Sequence, residues 1–410
     1  MELDAVVAGV GMTRFAKHMD TGLKKLGSMA VRDALADAGL EAQAIQAAYV
    51  GNAAAGLVTG QECIRGQVIL RSMGIGRIPV INVENACASA STALHQASAM
   101  ISAGLYDVVL ALGVEKLYHP DKTKSFAAFS GAVDVEAMAE VMERLRRAPR
   151  PAEARTSDSG AGTKRSMFMD IYAAVARSHM QRYGTTAEQF ARIAAKNSVH
   201  GSMNPRAQFR EVLSVEDVLS APMIAEPLTR PMCSPIGDGA AAVVLVSGRK
   251  ARELGIGSTV RVVASVLHSG WDHDPAEPGT VEVCAREAYE AAGVGPSEID
   301  VIECHDASAP AELMAYESLG LCAPGEGGKL IDADETRLGG RIPVNTSGGL
   351  LRKGHPVGAT GIAQIVELTE QLQQRSGPRQ VDDAMVALAQ NGGGAIGSDA
   401  AAMCVTILAR

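Results

Sequence analysis

Four short stretches of this 410-residue chain carry residue types that can perform chemistry. The first is Val83-Glu84-Asn85-Ala86-Cys87-Ala88-Ser89-Ala90-Ser91, where an apolar run gives way to a helical pattern. A thiol at a helix N-terminus feels the positive end of the helix dipole, which favours the thiolate. The small neighbours let a substrate approach Cys87. A buried cysteine in a small-residue helix is the competing reading, because free cysteine is among the most buried types. The second stretch runs from Asn345 to Gly361 and holds Gly354-His355-Pro356 just ahead of another helical pattern. Glycines allow tight turns there and the proline stiffens the approach. A base held rigidly near a thiol is what nucleophilic catalysis needs. The third is Glu303-Cys304-His305-Asp306-Ala307-Ser308, at the end of an apolar strand. His305 there can donate to a substrate oxygen, or it is an ordinary loop histidine. The fourth is Gln390-Asn391-Gly392-Gly393-Gly394, whose glycines let backbone N–H groups face a site, or simply join two strands.

The elements around these stretches alternate. Asp4–Gly11, Ile78–Val83 and Val108–Gly113 read as strands, and Gly22–Leu40 and Ala86–Gly104 as helices. The alternation predicts a layered α/β fold. The second half repeats it. Arg261–Ser265, Val301–Cys304, Ala384–Ala389 and Ala402–Leu408 read as strands, and Val281–Gly293 and Gly358–Leu372 as helices. Val83–Ser102 and Val344–Glu370 occupy matching places: a strand, a tight turn, then a long helix that begins with small residues. This predicts a duplication, with halves at 1–255 and 256–410. Residues 116–232 interrupt the pattern and read as an inserted cap. Within them, Arg144–Lys164 reads as an exposed loop, Asp170–Tyr183 and Ala187–Ser198 as helices. Met138, Met142, Met167 and Met169 form either an adaptable apolar wall or ordinary core.

Composition narrows the classes. A 47% apolar and 20% charged chain is not disordered. A net charge of −8 and 3% aromatic content argue against a nucleic-acid protein. The seven cysteines are widely spaced without a C-x-x-C pair, which fits reduced thiols in a cytoplasmic protein. No metal site, membrane span or signal peptide is expected. A G-x-G-x-x-G occurs at Gly392, Gly394 and Gly397, but a strand-like segment follows it instead of the helix a dinucleotide needs.

Taken in order, the four stretches resemble the thiolase superfamily. The likeness is to the sterol-carrier-protein-X type thiolases, a group that includes acetyl-CoA acetyltransferases and lipid-transfer proteins. It begins at Gly9-Val10-Gly11-Met12-Thr13-Arg14-Phe15, passes through Pro235-Ile236-Gly237-Asp238-Gly239-Ala240-Ala241, and ends in the Gly-rich turn at 390–394. The resemblance implies two α/β halves in a five-layered αβαβα core. It also implies acyl-CoA C-acyltransfer on coenzyme A thioesters, with no bound cofactor. Cys87 would be acylated, His355 would take its proton, and His305 would bind the thioester oxygen. Asn391 and Gly393 would belong to the oxyanion turn, with Ser347 and Gly348 at the substrate. Such enzymes are dimers or tetramers, and some thiolase-like proteins work with a small zinc-ribbon/OB-fold subunit.

One feature departs from the family pattern. Many thiolases have a second cysteine as acid/base, either after the His-Asp pair or at the start of the Gly-rich turn. This chain has Ala307 at the first place and Gln390-Asn391 at the second. Three expectations follow. A histidine carries both proton jobs, or the protein is a ketosynthase-like condensing enzyme or acyltransferase that avoids the step, or a partner subunit completes it. A lipid-binding subunit is the non-enzymatic alternative.

Overall fold

The computed structural model describes residues 3–147, 165–257, 260–274, 277–397 and 399–410. Its strands are β1 (Ala5–Met12), β2 (Ala47–Gly51), β3 (Val80–Val83), β4 (Val108–Glu115), β5 (Met223–Ala225), β6 (Leu228–Thr229), β7 (Gly239–Ser247), β8 (Arg261–Ser269), β9 (Val301–Glu303), β10 (Val386–Gly393) and β11 (Ala402–Ala409). β5 and β6 form a separate hairpin, and the other nine make one sheet in the order β3-β2-β4-β7-β1-β8-β11-β10-β9. That order has matching halves. β2 runs parallel to β3 and β4, while β7 is antiparallel to β4 and β1. In the second half β9 runs parallel to β10 and is extended by a parallel bridge from Ile302 to Val344. There β11 is antiparallel to β10 and β8. The halves meet where Ala5 and Val6 of β1 face Val262 and Arg261 of β8.

Side-chain alternation along the strands divides the core. Val6 packs outward with Leu26 and Ala30 of the helix Leu23–Ala38, whereas Val7 packs inward. Leu388 and Ile407 face outward against Cys284, Ala288 and Leu313, whereas Ala387 and Leu408 face inward. The inner cluster contains Ala93 and Leu94 of the helix Ser89–Ser102 and Ile362 and Val366 of the helix Thr360–Leu372. These two helices form the middle layer between the half-sheets, giving helix, sheet, helix, sheet, helix. They approach so closely that a Cβ on Gly361 would lie 1.9 Å from Ser91 Oγ.

Most expected elements appear with small shifts at their ends. The helix from Leu23 ends at Ala38, with Gly39 in the left-handed conformation at φ 64°. β2 and β7 were not anticipated. β7 is buried along its length, so its Ala/Val run lacks the in-out alternation that marks a half-exposed strand. Residues 116–232 lie between β4 and β7 and include the helices Met167–Tyr183 and Ala187–Ser202. Of the expected loop Arg144–Lys164, residues 144–147 instead complete the helix Met138–Arg147, and 148–164 lie outside the described residues. No described helix is long and apolar enough to cross a membrane.

Candidate active site

The matching halves place Cys87 and His355 on equivalent connections, each leading into one of the two middle helices. Cys87 lies in a tight turn, Ala86–Ala88, at the head of Ser89–Ser102. Ala86 is held at φ 48°, a left-handed conformation unusual for a side-chain-bearing residue. Gly393 fits against this turn only because it lacks a Cβ, which would lie 2.1 Å from the Asn85 carbonyl. His355 precedes the turn Val357–Ala359. The Gly358 N–H beyond it donates to Glu115 Oε2 at 3.0 Å, and Glu115 also accepts from Ala53 and Ala54. That buried carboxylate ties the His355 connection to the first half of the chain.

Cys87 Sγ and one ring nitrogen from each of His305 and His355 lie within 4.8 Å of one another. The two imidazoles meet edge to face, with centroids 5.1 Å apart. Their hydrogen bonds give them opposite tautomers. His355 Nδ1 lies 2.7 Å from Thr360 Oγ1, whose own proton is donated to the Pro356 carbonyl at 3.2 Å. Nδ1 therefore carries the proton, and Nε2 is left with a free lone pair. At His305 the polarity is reversed. The Ser91 hydroxyl donates to Asn391 Oδ1 at 3.0 Å, which turns Asn391 Nδ2 to donate to His305 Nδ1 at 2.9 Å. His305 Nε2 then carries the proton. One ring is equipped as a base and the other as a donor.

Burial sets the protonation states. The Cys87 thiol is pushed up to about 12, chiefly by burial. N–H groups of Gly394 and of Cys87 itself act against that push, and the Glu115 and Glu84 charges add to it. The expected thiolate at a helix terminus is thus overridden, because loss of hydration outweighs the local dipoles. Burial pulls His305 down to about 4, and burial with His305 beside it pulls His355 well below the usual histidine range. The resting site is a neutral thiol with two neutral imidazoles.

The same three groups form a Cys-His-His set close enough to surround a metal ion. A metal-bound imidazole normally donates its second N–H to an acceptor. His305 Nδ1 instead receives an N–H from Asn391. The donor set therefore fits proton transfer better than ligation.

The three groups line a cavity of about 1580 Å³. Four of the six phenylalanines line it as well: Phe126, Phe129, Phe168 and Phe209. Met169 is the one expected methionine on the wall, and Met167 is buried in the cap. Ser347 and Gly348 are not at the cavity, which corrects their expected substrate role. Ser347 is fully buried, and its hydroxyl donates to Glu303 at 2.5 Å. Lys353 pairs with the same carboxylate at 3.0 Å. Asp306 takes the Leu350 N–H at 2.6 Å, so this segment bolts the end of β9 to the His355 loop. Alternation along β10 makes a second correction. Gln390, Gly392 and Gly394 reach the cavity, and the N–H directed at the sulfur is that of Gly394 instead of Gly393. The sequence reading did not include Tyr172 at the site, and it noted Gln390 only as the start of the Gly-rich turn. Both line the cavity, and no local motif marks Tyr172.

Known proteins agree with this fold. Residues 5–249 match the thiolase N-terminal domain and residues 268–409 the thiolase C-terminal domain-like model. The chain therefore belongs to the thiolase family, a class of acyltransferases that act on coenzyme A thioesters. It is 38% identical to an acetyl-CoA acetyltransferase of Methanothermobacter thermautotrophicus over 97% of this chain and 98% of that one. It is 35% identical to sterol carrier protein 2 of Oryctolagus cuniculus over 95% of this chain and 70% of that protein. Among solved structures, an Ltp2-ChsH2(DUF35) aldolase superposes with a TM-score of 0.78 at 23% identity. That match covers 98% of this chain and 97% of the other, and it shows the shared fold.

Proposed function

We propose that this protein is an acyl-CoA C-acyltransferase that makes or cleaves a 3-ketoacyl-CoA through an acyl-enzyme on Cys87. The observation that carries the reading is the convergence of a thiol, a lone-pair-bearing imidazole and an N–H-bearing imidazole within 4.8 Å on a cavity wall. His355 Nε2 takes the Cys87 proton as the sulfur attacks the thioester or ketone carbonyl. Because the thiol rests near 12, the transfer accompanies the attack instead of preceding it. His305 Nε2–H and the Gly394 and Cys87 N–H groups supply donors for charge appearing on oxygen. One such donor contributes about 10²–10³-fold to rate. The cavity between the 116–232 cap and the core takes the coenzyme A arm and the acyl chain.

The test is intact-protein mass spectrometry after incubation with acetyl-CoA, acetoacetyl-CoA and a longer 3-ketoacyl-CoA. Wild type gains one acyl group and Cys87→Ala gains none. A wild-type protein that stays unmodified by all three rules the reading out. A second reading is favoured by the Ltp2-ChsH2(DUF35) likeness: a thiolase-like subunit that works with a small OB-fold/zinc-ribbon partner. Acylation appearing only after a co-purifying subunit is added back identifies that case. We further propose halves at 1–255 and 256–410, a homodimer or tetramer, and a cytoplasmic location.

A further inference from the structure

The site has one base and one hydrogen-bond donor, but carbon–carbon bond chemistry needs another proton carrier. In cleavage, the departing carbon must be protonated. In synthesis, the same carbon must lose a proton. His355 is occupied by the Cys87 proton during that step, and His305 donates to oxygen. Ala307 and Gln390 carry no transferable proton, and the Gln390 amide is already engaged, its oxygen accepting from the His305 backbone N–H at 2.8 Å and its Nε2 reaching Met403 Sδ at 3.2 Å.

Besides Glu84, an exposed carboxylate already accepting the Ala86 N–H at 2.6 Å, two groups on the cavity wall are candidates to move a proton: Cys233 and Tyr172. Cys233 lies across a backbone bridge from Ser308, beside Ala307. Its thiol, however, is turned to the Thr229 carbonyl at 3.5 Å, and burial alone accounts for its raised pKa. No charge from Cys87 or either histidine reaches it. Tyr172 differs on each point. It lies on the helix Met167–Tyr183, on the face whose Phe168, Met169, Ile171 and Val175 also line the cavity. The ring packs against the core of the second half. Its hydroxyl makes no hydrogen bond with any described residue. Tyr172 is also close enough to Cys87 and Asp306 for their charges to act on it. Those charges add to burial in holding the phenol protonated. Tyr172 is only partly buried on a cavity wall, so its hydroxyl is left open to the cavity's contents instead of being tied up by the protein.

We propose that Tyr172 is the second acid/base of this site, the proton donor and acceptor for the reacting carbon. The proposal rests on the acyl-enzyme reading above. In thiolysis, the Cys87 sulfur adds to the 3-keto carbonyl and the C2–C3 bond breaks. Its electron pair becomes the enolate of the departing thioester. Tyr172 gives its phenolic proton to C2 of that enolate. The phenolate regains a proton from solvent, and an incoming coenzyme A, having released its thiol proton to solvent, attacks the acyl carbon on Cys87 as the thiolate. Cys87 leaves as thiolate and regains its proton from His355. Synthesis runs the same steps in reverse. No oxidant, reductant or metal enters the balance.

The test compares wild type with Tyr172→Phe, which removes only the hydroxyl. Three rates are read: acetylation of Cys87 by acetyl-CoA, thiolysis of acetoacetyl-CoA, and exchange of the acetyl-CoA C2 hydrogens for deuterium in D₂O. Transfer of an acetyl group between sulfurs needs no proton at carbon. Acetylation therefore stays within about threefold, while thiolysis and exchange fall by about 10²–10⁴-fold, the usual contribution of a positioned acid or base. Wild-type exchange and thiolysis in the variant overturn the proposal. Equal loss of acetylation overturns it as well, since the hydroxyl would then be shaping the site. Failure of wild type itself to become acetylated removes the underlying acyl-enzyme reading, a result that Tyr172→Phe cannot mimic.

Discussion

Replacing Thr360 with valine tests whether one hydroxyl decides that His355 is a base. The substitution keeps the shape and removes the oxygen that lies 2.7 Å from His355 Nδ1. Two outcomes are open to the buried ring. It can keep its Nδ1 proton without a partner, which costs about 1–3 kcal/mol. Or it can move the proton to Nε2, facing the sulfur, where it can no longer accept the thiol proton. Either way the base-competent tautomer loses about 1–3 kcal/mol, a factor of about 5–150 in population. The single-turnover rate of Cys87 acylation should fall by that factor, with substrate affinity unchanged. Thr360→Ser keeps the hydroxyl and should restore most of the rate. Nitrogen NMR of labelled histidine reads the tautomer directly: Nδ1–H in wild type, Nε2–H gaining in Thr360→Val. A valine variant that acylates within a factor of two of wild type, with wild-type thermal stability, would falsify the tautomer argument.

Four other outcomes are expected. Alkylation of Cys87 by iodoacetamide should rise about tenfold per pH unit from pH 7 to 10, because its thiol rests near 12; a plateau below pH 9 points to a preformed thiolate. The acylation rate should hold steady as pH falls from 8 to 6, since His355 sits well below the usual histidine range and stays deprotonated there. A half-loss centred near 6.5 contradicts that burial argument. Asn391→Asp places an acceptor beside His305 Nδ1, shifts its proton away from the cavity, and should lower the acylation rate by about 10²-fold or more while Cys87 alkylation persists. Lys353→Met strands the buried Glu303 carboxylate and should cost about 3–5 kcal/mol in a denaturant melt. Adding Glu303→Gln should recover much of that loss, and a single variant as stable as wild type would show that Lys353 carries no such weight.

The repeat was legible because strand-to-helix alternation is a local signal. Cys87 and His355 were found for the same reason, as both sit in small-residue turns before helical patterns. β7 was missed because a strand buried on both faces has no alternation to read. Ser347 was misplaced for a related reason. A hydroxyl among glycines reads as a binding turn, and only folding brings Glu303 beneath it.

The chain's order of residues by itself determined the family, the candidate thiol and the two imidazoles that meet it, and the duplicated α/β plan. Each of these is written in short segments or in their sequence along the chain. Only the tertiary structure decided the protonation of the site. The His305 tautomer depends on Ser91 reaching Asn391, 300 residues away. The thiol state depends on loss of hydration at the cavity wall, which overrides the helix terminus beside it. Tyr172 enters the site because its helix is laid against the cavity wall. Hydration loss and hydrogen-bond polarity sum over neighbours in space, so no stretch of sequence records them.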